Sequence, residues 1–244
     1  MRGFGRLRYP VLRIAGFCLL LLTGCASTPV APPHPYYATG PLQGRLEQGI
    51  YHDMRGWFGI ASPISPSDPT YTYMSVGEEY HPTIGYVSFI PLDKPGEYYR
   101  AYMEDFPASG HVVPDMGQVA DGAMRFFGKQ LVQARVEPLH LVEERPWHAG
   151  ATTGLLRLYT QRVPTEVLLG NLGMAEDYTA YILMYVTAEQ GKVAMLWAEW
   201  PVGCSVCRPV PAGPATASSD PIDQALAADA RSGAFLGSFR YGAD

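Results

Sequence analysis

Two runs decide the reading of this chain: Tyr178-Thr179-Ala180-Tyr181-Ile182-Leu183-Met184-Tyr185-Val186-Thr187-Ala188 and Lys192-Val193-Ala194-Met195-Leu196-Trp197-Ala198-Glu199-Trp200. Only Glu189-Gln190-Gly191 separates them. Both are rich in β-branched and aromatic residues, which suit a pleated surface. A short connection that ends in glycine is a hairpin turn, and strands joined so closely are antiparallel.

Working outward, alternation and the same enrichment predict further strands at Tyr71–Val76, Ile84–Ile90, Glu97–Glu104, Leu139–Glu144 and Leu155–Arg162. Two stretches read instead as helix. In 116–136 the apolar residues Met116, Val119, Ala120, Ala123, Phe127 and Leu131 make one stripe. In 221–239, Asp220 is a good N-cap, Pro221 suits the first helical position, and Asp223 meets the positive end of the helix dipole. Ile222, Leu226, Ala230 and Phe235 would face the sheet there, and Gly233 weakens the middle. Strands, helix, strands, helix is an α+β fold: an antiparallel sheet packed with two helices. This order, with a last helix ending in Ser238-Phe239-Arg240, resembles the PsbP-like fold. The resemblance implies an architecture and says little about activity.

The N-terminus reads differently. Arg2, Arg6, Arg8 and Arg13 precede the apolar run from Ile14 to Leu22, which is too short to span a bilayer. Basic residues, a short apolar run and small residues after it make an export signal; an uncleaved N-terminal anchor is the alternative. Leu22-Thr23-Gly24-Cys25 then resembles the lipobox of bacterial lipoproteins. That resemblance implies cleavage before Cys25, lipid on its sulfur (palmitate among the acyl groups) and acylation of its new amine. Several chains hold firmly where one holds marginally. Ala26 in place of aspartate implies the outer membrane of a Gram-negative cell, facing the periplasm; in another cell type, the outer face of the cell membrane is the place. Pro29, Pro32, Pro33, Pro35 and Pro41 follow, so 25–44 reads as a stiff, extended tether and 45–244 as one domain.

Charge narrows the partners. The formal net charge is −5, and losing four arginines and no acid with residues 1–24 takes the remainder to −9. An acidic domain without a Lys/Arg cluster is repelled by phosphates, which excludes nucleic acid and makes anionic lipid a poor surface. Membrane contact therefore falls to the anchor at Cys25.

Few residues carry candidate chemistry. Once Cys18 has left with the signal and Cys25 is lipidated, Cys204 and Cys207 remain in an oxidising compartment, and they read as a structural disulfide. A redox dithiol needs a helix at its first cysteine, and here a strand precedes and Arg208-Pro209 follows. Haem attachment needs histidine where Arg208 stands. His52, His81, His111, His140 and His148 make no ligand spacing, so neither metal nor cofactor is expected; Trp147-His148 reads as a loop between strands. Arg157 and Glu199 lie in apolar strands, and buried charges need partners, so they are expected to form a structural ion pair. A catalytic Glu199 is the alternative, but no second acid stands beside it. No nucleophile elbow, P-loop or dinucleotide fingerprint is present. The chain thus reads as a non-enzymatic envelope protein that binds another envelope protein or assists assembly. A small-ligand or glycan-binding module on the tyrosine-rich sheet, and a hydrolase with a site assembled from distant residues, stay open.

Overall fold

The chain divides into two units, Met1–His34 and Pro35–Asp244. The computed structural model describes residues 37–38, 42–94, 96–105, 115–133, 137–164, 177–189, 191–204 and 220–242, all in the second. It is an α+β structure. The strands are β1 (Tyr37–Ala38), β2 (Arg45–Glu47), β3 (Ile50–His52), β4 (Phe58–Ala61), β5 (Met74–His81), β6 (Ile84–Pro91), β7 (Tyr98–Asp105), β8 (His140–Ala149), β9 (Thr152–Val163), β10 (Tyr178–Glu189), β11 (Lys192–Val202) and β12 (Arg240–Tyr241). The helices are α1 (Met116–Gln133), α2 (Pro221–Ala228) and α3 (Ala230–Gly237). An eight-stranded sheet runs β1-β5-β6-β7-β11-β10-β9-β8, and a four-stranded one runs β12-β4-β3-β2. No described helix is long and apolar enough to cross a membrane.

The expected hairpin holds. β10 and β11 pair without a break from Thr179–Val202 to Glu189–Lys192, and Gly191 takes φ 77° at the turn, a value glycine adopts at no steric cost. The pairing sorts side chains by face. Leu183, Tyr185, Leu196 and Ala198 join one buried cluster, and Ile182, Met184, Met195 and Trp197 join another.

The first cluster lies under α2, α3 and the small sheet. Phe235 of α3 meets Phe89 at 6.1 Å and Tyr99 at 5.5 Å, both edge-on. Below it Glu97, Arg231 and Asp229 form a polar knot: Arg231 donates to Glu97 at 3.0 Å, and the Tyr99 hydroxyl reaches both Glu97 and Asp229 at 3.2 Å. At the far end of α3 the Ser238 hydroxyl accepts from Ala61 N–H at 2.9 Å, tying the helix to β4. The second cluster lies under α1, through Met116, Val119, Ala120, Ala123 and Met124. The side chains of Phe127 and Leu131 lie outside the described residues.

Several expectations are corrected. The strand placed at Tyr71–Val76 begins only at Met74, because Asp68 and Pro69 start a 3₁₀ turn over Pro69–Tyr73, with Asp68 accepting from Thr70 N–H at 2.8 Å. The helix expected over 221–239 is two. Asp229 ends the first with its backbone and starts the second with its side chain, which accepts from Arg231 and Ser232 N–H. The helix expected to Val136 is described to Gln133.

Trp147 and His148 lie inside β8, not in a loop, since that strand runs on to Ala149. Proline interrupts central strands, but β8 is an edge, where Pro146 needs no ladder bond on its outer side. Two exposed apolar residues, Leu141 and Val142, sit at a bulge in the same edge. At the other edge the end of the expected tether becomes structure: Tyr37–Ala38 pair in parallel with Ser75–Val76. Extended, proline-flanked backbone is already close to strand geometry.

Phe235 joins three elements, so Phe235→Ala should cost about 3–5 kcal/mol. Urea unfolding measures it; a midpoint equal to that of wild type would remove Phe235 from the core.

Candidate functional site

β5, β6, β7 and β11 carry, on the α1 side of the sheet, a patch beside the strands β9 and β10 on which α1 packs. Register builds it row by row. Tyr86 lies opposite Tyr102, and Tyr102 opposite Met195. In the next row Ser88, Arg100 and Trp197 are aligned; in the next, Tyr98 and Glu199. Residues two apart on a strand share a face, so β7 alone contributes Tyr98, Arg100, Tyr102 and Glu104.

Arg100 is the centre. Its guanidinium lies 4.6 Å from the Tyr98 ring centroid and 4.9 Å from that of Tyr86, a cation held over two π faces. Its Nε donates to the Tyr98 hydroxyl at 2.6 Å, and Nη2 donates to the same oxygen. The Tyr86 and Tyr98 hydroxyls are 2.8 Å apart. A hydroxyl that accepts twice from a guanidinium has its own proton left to give, so Tyr98 donates to Tyr86. Tyr86, Tyr98, Arg100 and Tyr102 are all half-buried.

Glu199 stands beside this clasp. The Trp197 indole N–H donates to its Oε2 at 3.0 Å. Its other oxygen accepts no hydrogen bond from the described residues. Burial pushes the Glu199 carboxyl up to about 7, against the lowering effect of the Trp197 hydrogen bond and the Arg100 charge. Burial likewise lowers Arg100, and burial with the Glu199 charge raises Tyr178. Burial and Glu104 push Tyr102 up to about 12. Perturbed ionisable groups converging on one face are a physical mark of a functional site.

The expected pairing of Arg157 with Glu199 is corrected. Both are on this side of the sheet, but Arg157 donates from Nε to Glu144 at 2.5 Å and from Nη1 to Asp121 of α1 at 2.6 Å. Register explains it: β10 lies between Arg157 and Glu199, while Glu144 is directly opposite Arg157 on β8. Arg157 thus fastens α1 to the sheet, and Glu199 has Trp197 and Arg100 as neighbours.

Cys204 follows β11 and packs against the second cluster, while Cys207 and Cys25 lie outside the described residues. His81, His140 and His148 are exposed, His52 is half-buried, and His111 is outside the described residues. No described group of three His, Cys, Asp or Glu could hold a metal. A pocket of about 250 Å³ opens on the opposite face of the sheet, between Val142, Leu158, Tyr181 and Val202 and the Ala225 side of α2. Its lining includes Thr160 and Gln224 but no charged group, and it is smaller than usual for a ligand site.

The Tyr86–Arg100–Glu199 patch was not expected. Tyr98-Tyr99-Arg100-Ala101-Tyr102 alternates visibly, but only the register of three strands shows which residues meet. Chemically, the patch offers ring faces, a cationic donor and a carboxylate acceptor.

No protein family model matches the chain, and no curated protein does. Among solved structures it is similar to the cyanobacterial PsbP (CyanoP) from Synechocystis sp. PCC 6803. The TM-score is 0.49 at 11% identity, over 83% of this chain and 98% of that one.

The raised Glu199 carboxyl has a consequence for stability. The fold binds this proton more tightly than the unfolded chain does, so the contribution is full below about pH 4.5 and is lost as pH rises through about 7. Glu199→Gln should remove a slope on the order of 2 kcal/mol over that window. Urea unfolding at several pH values compares the two proteins; parallel curves would place Glu199 in water.

Proposed function

We propose that this chain is a lipid-anchored protein of the bacterial envelope that works by binding and not by catalysis. The lipobox residues Leu22 to Cys25 and the proline-rich stretch after them support the anchor. The observation that carries the binding role is the Arg100 clasp. A guanidinium held over two tyrosine rings, with the Glu199 carboxyl on the next strand, is fixed in a sheet by cross-strand pairing. Arginine and tyrosine are the residues that dominate recognition surfaces, because they combine large area with directed hydrogen bonds. Glu199 has an indole and a guanidinium for neighbours, which suits holding a ligand better than passing a proton between two acids. The Cys204–Cys207 disulfide belongs to this reading, as a clamp where the chain leaves β11.

Two experiments test it. A photoreactive residue at Tyr102, at the rim of the clasp, should give discrete adducts in intact cells, while the same residue at the exposed Leu92 should not. Equal labelling at both positions would remove the binding face. Mass spectrometry of the unreduced full-length protein should find Cys25 as an acylated N-terminus, and the peptide holding Cys204 and Cys207 two hydrogens lighter than its dithiol. An unmodified Met1 start in membrane-extracted protein would end the anchor proposal, and free thiols would end the disulfide.

A further inference from the structure

We infer that the end of the large sheet bearing Tyr73 and Leu92 rests on the lipid surface to which the chain is anchored, so that the domain stands on the bilayer in one orientation. This rests on the reading of Cys25 as a lipid anchor and adds a second contact to it.

The surface comes first. Tyr73 and Leu92 are large hydrophobic side chains left 54% and 55% exposed. They are neighbours: Leu92 N–H donates to the Tyr73 carbonyl at 2.7 Å, one step beyond the last β5–β6 pair, Met74 with Pro91. Pro69 and Thr72 of the adjoining 3₁₀ turn are exposed as well, and that turn holds no charged residue. The domain is acidic, but the acids nearest in sequence have cations beside them. Asp68 lies 3.8 Å from Arg231, and Asp93 lies 3.6 Å from Lys94. Acids that lipid phosphate would repel are thus partly neutralised at this end. Tyrosine, with an apolar ring and a polar tip, suits the boundary between head groups and acyl chains.

Chain continuity selects the occupant. β1 runs parallel to β5, with Tyr37 beside Ser75 and Ala38 beside Val76, so the chain enters the sheet at the end where β5 begins, next to Tyr73. Tyr37 is only twelve positions after Cys25. Polyproline geometry spans about 37 Å over that stretch. β5 itself is eight residues long, about 26 Å. The tether therefore reaches the bilayer with slack from the Tyr73 end. Bringing the far end down would spend most of its length on running back along the sheet. The other exposed large apolar residues described are placed elsewhere. Met54 is at that far end, beside Arg55, which donates to the His81 and Ile84 carbonyls at the β5–β6 turn. Leu141 and Val142 are on β8, seven strands from β1. Anchoring makes the second contact intramolecular, so a patch too small to hold a free protein on lipid is enough here.

The test uses the full chain, purified from membranes and reconstituted in phosphatidylcholine vesicles, with acylation of Cys25 checked by mass spectrometry. An environment-sensitive fluorescent amino acid replaces Leu92, Met54 or Leu141 in turn, three sites of similar exposure. Brominated phosphatidylcholine should quench the label at Leu92 about twofold, because side chains at the interface enter the outer ~5–10 Å of the bilayer. The labels at Met54 and Leu141 should be unchanged. Tyr73→Ser should weaken the quenching at Leu92 without releasing the protein from the vesicles, since the acyl chains hold it there. In acylated, vesicle-bound protein, no quenching at Leu92, or equal quenching at all three sites, would overturn the inference and leave the anchor standing. Quenching at Leu92 that Tyr73→Ser leaves unchanged would assign the proximity to the tether alone and overturn the contact. A Cys25 without acyl groups, in protein that does not sediment with vesicles, would overturn the anchor and this contact with it.

Discussion

The pairing of β10 with β11 is the constraint from which the rest follows. A strand has period two, so a register fixed over the whole hairpin assigns every residue on both strands to a face. Placing Met184 opposite Trp197 puts Leu183 opposite Ala198 on the other side. One face is then wholly apolar through the middle of the sheet and must be covered, and α2, α3 and the small sheet cover it. The other face is apolar along β10 and part of β11, while β9 carries Arg157 there, which ties the amphipathic helix α1 to the sheet through Asp121.

The candidate site is a by-product of this unequal covering. β7 is next to β11, two strands from β9, and its residues on the α1 side are Tyr98, Arg100, Tyr102 and Glu104 instead of valine and leucine. On the covered side the same strand gives Tyr99, Ala101 and Met103, all buried. One strand thus serves a core and a surface at once, and the tyrosines on its two sides have different work. Tyr99 closes a buried polar knot with Glu97 and Asp229, while Tyr98 holds a guanidinium at the surface.

Much of the fold was legible because long elements carry long patterns. The central strands from Ile84 to Pro91 and from Tyr178 to Val202 repeat their alternation often enough to be read, and so does the apolar stripe of α1. The small sheet was not legible: β2, β3 and β4 are three or four residues long, too short to show a period. Asp229 was read as an ordinary helical position because its role as a cap depends on a kink that no spacing announces. The clasp was hidden for a different reason. Tyr86 and Arg100 are 14 positions apart and meet only through register, and Glu199 was matched with Arg157 because composition shows that charges must pair without showing which strand stands between them.

The two edges of the large sheet are guarded by unlike means. β8 carries Pro146, a bulge at Val142 and the charges of Glu143, Glu144 and Arg145, features that disfavour the addition of a foreign strand. β5 has no proline and is shielded instead by β1 and by Glu78, which accepts from the Gln43 and Gly44 amides at 2.6 and 2.9 Å. Those amides and β1 belong to the segment that composition alone assigns to the tether. A recombinant protein trimmed to begin at Arg45 would therefore bare the backbone of β5, leaving an edge open to another copy of itself. Solubility, and the choice of where to cut the chain, depend on residues that look like linker.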